Sequence, residues 1–505
     1  MSASSYLQRK PLPEARALLL AGVRPVEDEE IAVDDAAGRI AAETLTARHP
    51  SPHYRASAMD GIAVRAADTW AAADAPVLLA TLATGSAAAA ERCCAPVDTG
   101  SLLPEWADAV VRIENTTPAE GGYRIRAVVP PGTDVRREGE DIEAGAALVR
   151  SGTRLSPWDL GALLATGTTR LRVRRRPRIG ILATGGEVVD PVALVESGRS
   201  AGAGQVIEYN TRMIAALVSE WGATPHRLGI VADDEQSLAA AVADAASRFD
   251  VACVIAGSSA GRKDFTIAVL SSLGEVFVHG VDMAPGRPVA LARVPRGPSA
   301  TAVLAIPGYP VSAIVVCERL LRPLVAALLG TTEPPVATMR ARLARKIPSR
   351  LGMEEFRRVC LVRQADGSHV VAPLPAGAGS ISSVAGAHAW LRIPSTAEGI
   401  DAGAVVEVEL MVVREDVDSA LVLAGSPCAA SAALEEERRR HDPRARCCHL
   451  RLAAGDAVAA LRRGEAHAAI VSAEEAAAHA DGLDQRTLPD GAVLLAVDHL
   501  HRGSL

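Results

Sequence analysis

Short, continuously apolar runs alternate with amphipathic segments between residues 176 and 330. Strands are predicted at RIGILATGG, HRLGIVAD, DVACVIAG, EVFVHGV and AVLAIPG, which are apolar and bounded by turn-forming residues. The segments between them, such as EYNTRMIAALVSEWG and EQSLAAAVADAASRF, have the spacing of helices. Because strands that are apolar throughout need cover on both faces, the pattern predicts a doubly wound α/β domain.

The chain before this domain changes its pattern twice. Residues 14–45 carry apolar positions at helical spacing, and a further helix start is predicted at Ser156 and Pro157. Residues 46–140 instead show short alternating runs separated by Pro and Gly, which predicts a β-rich insertion. We therefore expect residues 1–45 and 141–175 to form one helical domain that the insertion interrupts.

The chain after this domain also divides in two. Residues 331–414 alternate apolar and polar positions and predict a small β-domain. Arg357 and Arg358 in this domain could reach a phosphate, but they are interpreted as surface charges on a strand. Residues 415–505 alternate short strands and helices and predict a small α/β unit.

Composition and charge narrow the functional classes. A chain of 505 residues that is 49% hydrophobic is long enough for several domains. A net charge of -7 without a sustained basic block argues against nucleic acid or an anionic membrane as partner. The sequence shows no membrane-length apolar run and no secretion signal, so we expect a cytoplasmic protein. The 8 cysteines form no CxxC or CxxH pair, so we expect mostly buried thiols and no structural zinc.

Residues with chemical potential follow the predicted strands of the α/β domain. They are Thr184 to Glu187, Asp233 with Asp234, the Gly/Ser loop from Gly257 to Asp264, and Pro307 to Pro310. In a doubly wound sheet ligands bind at these strand ends, and a Gly/Ser loop can turn its N–H groups toward an anion. Acids beside such a loop would repel a phosphate unless a divalent cation intervened. Glu187, Asp233 and Asp264 therefore predict a Mg²⁺-dependent phosphate or nucleotide site.

The motif SAMDG, residues 57–61, places Asp60 in what a simple turn would also explain. It belongs, however, to an ordered set with DTGSLLPEWADAVV, REGEDI, ATGGEVV, GIVADD, GSSAGRKDF, APGRP and IPGYPVSA. This set resembles the molybdopterin molybdenumtransferase family, which includes the MoeA and gephyrin E-domain enzymes. The resemblance runs from about residue 8 to residue 412.

The resemblance implies a multidomain α/β protein. It would contain an elongated, interrupted helical domain, a β-rich insertion, a central domain like the molybdopterin adenylyltransferases, and a β-barrel-like domain. Residues 415–505 resemble part of the periplasmic-binding-protein-like module that one subgroup carries, and they are too short for two lobes. Whether this short module is structural or senses a small ligand stays open.

The resemblance also implies an activity and its partners. The family uses Mg²⁺ to insert molybdate into adenylyl-molybdopterin with release of AMP. Its members usually form homodimers, in which the α/β domain of one subunit and the β-rich insertion of the other build a shared active site. A molybdopterin adenylyltransferase and molybdoenzymes are the implied protein partners.

The family motifs assign roles to matching residues. The implied catalytic acids are Asp60, Asp141, Glu187, Asp233 and Asp264, with Glu187 and Asp264 as Mg²⁺ ligands. The implied substrate contacts are Ser57, Thr99, Thr184, Gly185, Gly257, Ser258, Ser259, Gly261, Arg287, Pro307, Gly308, Pro310 and Ser312. The sequence departs from the family pattern at the AGSSAG loop, at Ala284, at Arg287, which replaces a lysine, and at Tyr309, which replaces an asparagine.

Two other functions fit parts of this pattern. The related adenylyltransferases share the α/β domain and would load AMP onto molybdopterin, although SAMDG and the flanking domains disfavour them. A non-catalytic regulator that binds molybdopterin or molybdate would be compatible with the altered loop and the C-terminal module.

Overall fold

The computed structural model describes residues 9–82, 91–256, 265–444, 446–479, 481–488 and 491–497. The chain divides into two compact units. One comprises Met1–Arg24, Arg176–Leu328 and Thr332–Leu505, and the other comprises Pro25–Arg175 with Leu329–Thr331. Within the described residues, no helix combines the length and the apolar character that a membrane crossing requires.

The first helix, α1 (Leu12–Leu20), is followed by strands where the sequence predicted further helix. In the smaller unit β1 (Asp28–Ala32) pairs with a later strand, Arg170–Arg174, and ion pairs join Asp28 to Arg172 and Glu30 to Arg170. The ETLTARH segment contains β2 (Leu45–Thr46), so the prediction of helices throughout 14–45 is wrong. In β1 acidic residues stand between the apolar positions of the segment. Their ion-pair partners lie on the distant strand Arg170–Arg174, and this pairing favours a strand over a helix.

The smaller unit then contains a mixed sheet. The elements of the unit after β2 are β3 (Ala56–Ser57), β4 (Gly61–Val64), β5 (Val77–Thr81), β6 (Cys93–Val97), β7 (Ala109–Arg112), β8 (Thr116–Ala119), β9 (Gly122–Ile125), β10 (Val135–Arg136), β11 (Ala147–Val149), α2 (Pro157–Ala165) and β12 (Arg170–Arg174). The sheet order is β7-β4-β6-β5-β9-β8. The helix α2 begins at Pro157 with Ser156 as its N-cap, as predicted, and Ser156 and Asp159 form a reciprocal capping box.

The central domain of the larger unit is doubly wound, as predicted. It contains β13 (Arg178–Thr184), β14 (Val188–Val189), α3 (Pro191–Glu196), β15 (Val206–Ile207), α4 (Asn210–Glu220), β16 (Thr224–Val231), α5 (Glu235–Arg248), β17 (Val251–Ala256), α6 (Thr266–Leu273), β18 (Glu275–His279), β19 (Met283–Ala284), β20 (Ala290–Arg296), β21 (Ser299–Pro307), α7 (Pro310–Val316), a π-helical turn (Cys317–Leu321) and α8 (Arg322–Leu328). The sheet order is β16-β13-β17-β21-β20-β18. The first part of the sheet is parallel, and β20 and β18 extend it antiparallel.

The next domain is a closed barrel. Its elements are β22 (Thr338–Leu343), β23 (Ile347–Pro348), β24 (Glu354–Arg363), β25 (His369–Pro373), α9 (Ser382–Ala385), β26 (Ala389–Ile393), β27 (Gly399–Ile400) and β28 (Val405–Leu410). The strands β24, β25, β22, β28 and β26 close on themselves because β24 pairs with both β25 and β26. Strand β24 is buried along almost its whole length, because Val359 and Leu361 face the barrel core while Cys360 and Val362 pack against residues of the C-terminal module.

The C-terminal module is the predicted small α/β unit. It contains α10 (Arg414–Ser419), β29 (Leu421–Ala424), α11 (Ala429–His441), β30 (Cys447–Leu450), α12 (Ala454–Arg462), β31 (Ala468–Val471), α13 (Ala473–His479), β32 (Asp484–Thr487) and β33 (Val493–Ala496). Its sheet order is β30-β29-β31-β33-β32. Cys448 on β30 forms a disulfide with Cys360 on β24, a pairing that the expectation of free buried thiols did not foresee.

A buried histidine makes the stability of the barrel sensitive to pH. His388 is 2% exposed, its Nδ1 accepts a hydrogen bond from the Leu361 N–H at 3.0 Å, and burial lowers its pKa from 6.5 to about 4. Between these values the unfolded chain binds the proton more readily than the folded chain. We expect the free energy of unfolding to fall by up to about 3 kcal/mol as pH drops from 6.5 to 4.

Denaturant unfolding at a series of pH values measures this effect. The variant His388→Asn keeps an acceptor for Leu361 without a titrating ring, so its stability should change less over the same pH range. His441→Asn, at a side chain that is 81% exposed, is the control and should behave like the parent protein. An unchanged pH profile in His388→Asn would contradict the prediction.

Candidate functional site

A cleft lies at the carboxyl ends of the parallel strands. Its volume is about 650 Å³, and its wall includes the last residues of β13, β17 and β21, which are Thr184, Ala256 and Pro307. The predicted substrate contacts Thr184, Arg287, Pro307, Gly308, Pro310 and Ser312 line it, together with the predicted acid Glu187. The structure thus brings these residues together, where a doubly wound sheet binds its ligands.

Three polar atoms in this wall are buried without a hydrogen-bond partner among the described residues. They are Thr184 Oγ1, Asn210 Oδ1 and Arg287 Nε. Asn210 uses its other end to donate from Nδ2 to the Gly308 carbonyl at 2.6 Å. Because buried polar groups are normally paired, these unpaired donors and acceptors indicate a cleft prepared for a polar ligand.

A tight turn presents Glu187 at the cleft. Gly185 has φ +143°, and a Cβ there would lie 2.8 Å from Val188 Cγ2, so only glycine fits this position without strain. Gly185 is therefore placed by the structure in the turn and does not line the cleft. The Glu187 side chain is exposed. The backbone carbonyl of Glu187 accepts a hydrogen bond from the Val206 N–H at 2.8 Å.

Another part of the cleft wall depends on residues that the sequence analysis did not predict. Glu208 is 5% exposed and accepts hydrogen bonds from the Thr211 N–H and hydroxyl, both at 2.7 Å. Arg212 bridges Glu208 at 3.0 Å and Asp190 at 2.9 Å, and this contact lowers the pKa of Asp190. These contacts fix the start of α4, from which Asn210 reaches the cleft. An acid two residues before a helix was the available signal, but it is also typical of ordinary helix starts.

A smaller cavity of about 350 Å³ adjoins the cleft and is rich in arginine. Arg287, Arg350, Arg357 and Arg358 line it, and Arg287, Ala284, Pro285 and Ala378 are shared with the cleft. Glu355 also lines the cavity and pairs with Arg357, so the wall keeps an excess of positive charge, which favours a small oxyanion.

The prediction that Arg358 is a surface charge is wrong. Arg358 is only 5% exposed, and its two terminal nitrogens donate to the carbonyls of Gly377 and Pro375, each at 2.8 Å. Burial lowers its pKa. The alternating pattern of the strand correctly gave an outward position, but this outward face of β24 is itself covered, because Cys360 and Val362 on the same face pack against the C-terminal module. Arg357 is partly exposed and pairs with Glu355 at 2.8 Å.

In the smaller unit the structure brings Ser57, Asp60 and Thr99 together. Asp60 Oδ1 accepts hydrogen bonds from the Thr99 N–H at 2.7 Å and the Thr99 hydroxyl at 2.8 Å, and these bonds lower the pKa of Asp60. The Ser57 hydroxyl donates to the Met59 carbonyl at 2.5 Å. Gly61 is required because a Cβ would lie 2.1 Å from the Val111 carbonyl oxygen. The motif therefore holds an exposed, ionised carboxylate in a fixed orientation.

The other predicted acids differ in position. Asp234 is the N-cap of α5, since its Oδ1 accepts from the Ser237 N–H at 2.8 Å, whereas Asp233 is exposed and is not part of the cleft wall. Asp141 is exposed in the smaller unit, where its N–H donates to the Ser51 carbonyl. Gly257, Ser258, Ser259, Gly261 and Asp264 lie outside the described residues. Ala256, which precedes them, lines the cleft.

Within the described ranges, no group of three or more His, Cys, Asp and Glu side chains is arranged to hold an ion. Mg²⁺ in phosphate sites is commonly held by one or two carboxylates, with substrate and water as the remaining ligands. The exposed carboxylate of Glu187 at the cleft fits that donor set.

A doubly wound domain has a cleft at its strand ends, and polar atoms in that cleft have no partner among the described residues. With the closed barrel that follows, these features define a multidomain α/β protein with a cleft suited to a polar small molecule. Comparison with known families is more specific. Residues 10–167 match the MoeA N-terminal region (domain I and II), residues 180–327 match a probable molybdopterin binding domain, and residues 340–411 match the MoeA C-terminal region (domain IV). The chain belongs to the molybdopterin molybdenumtransferase family.

Individual relatives agree with this assignment. Molybdopterin molybdenumtransferase 1 from Mycobacterium tuberculosis is 31% identical over 416 residues, which cover 77% of this chain and 95% of the relative. Molybdopterin molybdenumtransferase from Bacillus subtilis is 31% identical over 404 residues, covering 77% and 91%. The crystal structure of a molybdopterin biosynthesis MoeA protein from Pyrococcus horikosii is 31% identical and superimposes with a TM-score of 0.69, covering 80% of this chain and 99% of that one.

Proposed function

We propose that this protein inserts molybdate into adenylyl-molybdopterin and releases AMP, as a Mg²⁺-dependent step of molybdenum cofactor biosynthesis in the cytoplasm. The observation that carries the proposal is the pair of adjoining cavities. The larger cleft lies in the domain that matches a molybdopterin binding family and has unpaired polar atoms in its wall. The smaller cavity offers the arginines that a dianion such as molybdate requires.

The residues of the cleft have different proposed roles in binding the substrates. Thr184 and Asn210 offer an unpaired hydroxyl and an unpaired amide oxygen to the polar edge of the pterin nucleotide. Arg287 lies in both walls, so it can contact the phosphate and the oxyanion together. Glu187, with Asp264 as second ligand, would hold Mg²⁺, which when bound would offset negative charge at the phosphoanhydride.

The proposal includes a shared active site in a homodimer. Asp60 is ionised and held by Thr99, yet its hydrogen-bond partners leave the carboxylate exposed. In this arrangement the exposed Asp60, Thr99 and Asp141 of one subunit complete the cleft of the other, whereas the predicted contact Ser57 is fully buried and supports the turn through its bond to the Met59 carbonyl. Substrate would come from a molybdopterin adenylyltransferase, and the finished cofactor would pass to molybdoenzymes.

An AMP-release assay on the purified protein tests the proposal. With adenylyl-molybdopterin, Mg²⁺ and molybdate together we expect stoichiometric AMP, and we expect little AMP when either ion is withheld. Binding of adenylyl-molybdopterin without AMP release would instead identify a regulator. Formation of the adenylate from ATP and molybdopterin would identify an adenylyltransferase.

A further inference from the structure

The C-terminal module and the barrel share one hydrophobic core. Cys360 and Val362 on β24 and Val370 and Ala372 on β25 lie in the same buried cluster as a set of module residues. The module residues in this cluster include Val422, Ala424, Cys448, Leu450, Val458, Leu461 and Leu495. Side chains that are buried on both sides of such a contact cannot separate without exposing apolar surface to water.

Polar contacts fix the orientation of the module on the barrel. Glu465 is fully buried and accepts a hydrogen bond at Oε1 from Arg463 Nε within the module at 2.5 Å, while its Oε2 forms an ion pair across to Arg345 Nε of the barrel at 3.5 Å. Gln364 Nε2 donates to the Gly464 carbonyl at 3.2 Å. His467 Nε2 lies 3.2 Å from the Arg363 carbonyl oxygen while its Nδ1 accepts from the Val422 N–H. A buried charge that loses its partner is costly, so these contacts hold the module in one position.

One loop, residues 374–387, connects this contact to the candidate site. At its start Ala376, Gly377 and Ala378 line the arginine-rich cavity, and Ala378 and Gly379 line the cleft. The carbonyls of Pro375 and Gly377 also hold Arg358. Both walls therefore depend on the path of this loop.

The two ends of the same loop are anchored at the module. Leu374 and Ala387 belong to the shared cluster. The Gly386 carbonyl oxygen lies 3.4 Å from Cys360 Sγ, and a Cβ on Gly386 would lie 4.0 Å from Cys448 Sγ. The Cys360–Cys448 disulfide thus lies directly against the loop that carries the site.

We propose that the C-terminal module positions the 374–387 loop, and through it the Arg358 guanidinium and the wall between the cleft and the arginine-rich cavity. This inference rests on the proposed function only for the identity of the ligand. The module then acts as a support for the site. Leu461 and Cys448 are its positioning residues, since both lie in the shared cluster.

The test uses the full chain and compares the two faces of the module. Leu461→Ala and Cys448→Ser alter the face toward the barrel, and Leu494→Ala is the matched control. Leu494 is also a buried leucine, but it belongs to a separate cluster on the module. Hydrogen exchange of the 374–387 amides, followed by mass spectrometry, measures the loop directly and does not depend on any activity.

We expect faster exchange of this loop in Leu461→Ala and Cys448→Ser, and parent-like exchange in Leu494→Ala. Titration with molybdate should show a Kd raised about tenfold in the first two variants alone, because a small misplacement of binding groups is costly. In the AMP assay the molybdate KM should rise while kcat changes little.

Parent-like exchange in all variants, or equal loosening in the control, would overturn the inference. A parent protein that does not release AMP would refute the proposed function and leave the exchange result interpretable.

Discussion

Glu187→Gln should lower the rate of AMP release by at least about 100-fold, which is the scale of losing a charged group that acts at the reacting phosphate. The conformation of the local backbone explains why the Glu187 carboxylate lies at the cleft. Gly185, with its positive φ, turns the chain after β13 so that the Glu187 carboxylate stands at the cleft wall. Glutamine keeps the size of the side chain and removes the charge. Single-turnover AMP release at saturating Mg²⁺ and molybdate measures the effect.

Glu196→Gln is the matched control for this variant. Glu196 is the last residue of α3, which lies in the same connection between β13 and α4 as Glu187. It is exposed and is not part of the cleft wall. Its neutralisation changes the net charge by the same amount and should leave the rate near that of the parent protein. A parent-like rate in Glu187→Gln, with unchanged thermal stability in both variants, would refute the role proposed for this carboxylate.

The sequence predicted those parts of the fold that local patterns determine. The runs RIGILAT and VACVIA are dominated by apolar residues, and both became central parallel strands. Strand β20 was missed because its residues, ALARVPR, follow the APGRP turn and end in charges. It exists because it pairs with β21 along its whole length, from Ala290↔Ala305 to Arg296↔Ser299. Its other edge pairs with β18, so this strand depends on two neighbouring strands, and such dependence leaves only a weak signal in its own residues.

The candidate site was predictable to a similar extent. Thr184, Glu187, Arg287 and Ser312 follow strands or turns in recognisable motifs, and the structure gathers them around the cleft. The burial of Arg358 was not predictable, because an arginine is buried only where distant carbonyls receive its nitrogens. Those partners come from other parts of the chain and leave no mark on the local sequence.

Two inactive variants should restore activity when they are combined in one dimer. If Asp60 of one subunit completes the cleft of the other, a heterodimer of Asp60→Asn and Glu187→Gln has one site with both changes and one site with neither. Co-expression with two affinity tags isolates such heterodimers. We expect about half of the parent activity per dimer, because one of two equivalent sites is intact. Each homodimeric variant should be nearly inactive, although the amide oxygen introduced by Asp60→Asn could still accept the bonds from Thr99 that orient the side chain.

The control pairs two changes that lie in the same cleft. Glu187 and Arg287 both line the cleft of a single chain, so a heterodimer of Glu187→Gln and Arg287→Met has one damaged residue in each site. It should remain inactive, which separates true complementation from re-exchange of subunits or residual activity. If Asp60 instead served the cleft of its own chain, the first heterodimer would also contain one damaged residue in each site. Its failure to recover activity would therefore refute the shared site while leaving the role of Glu187 untouched.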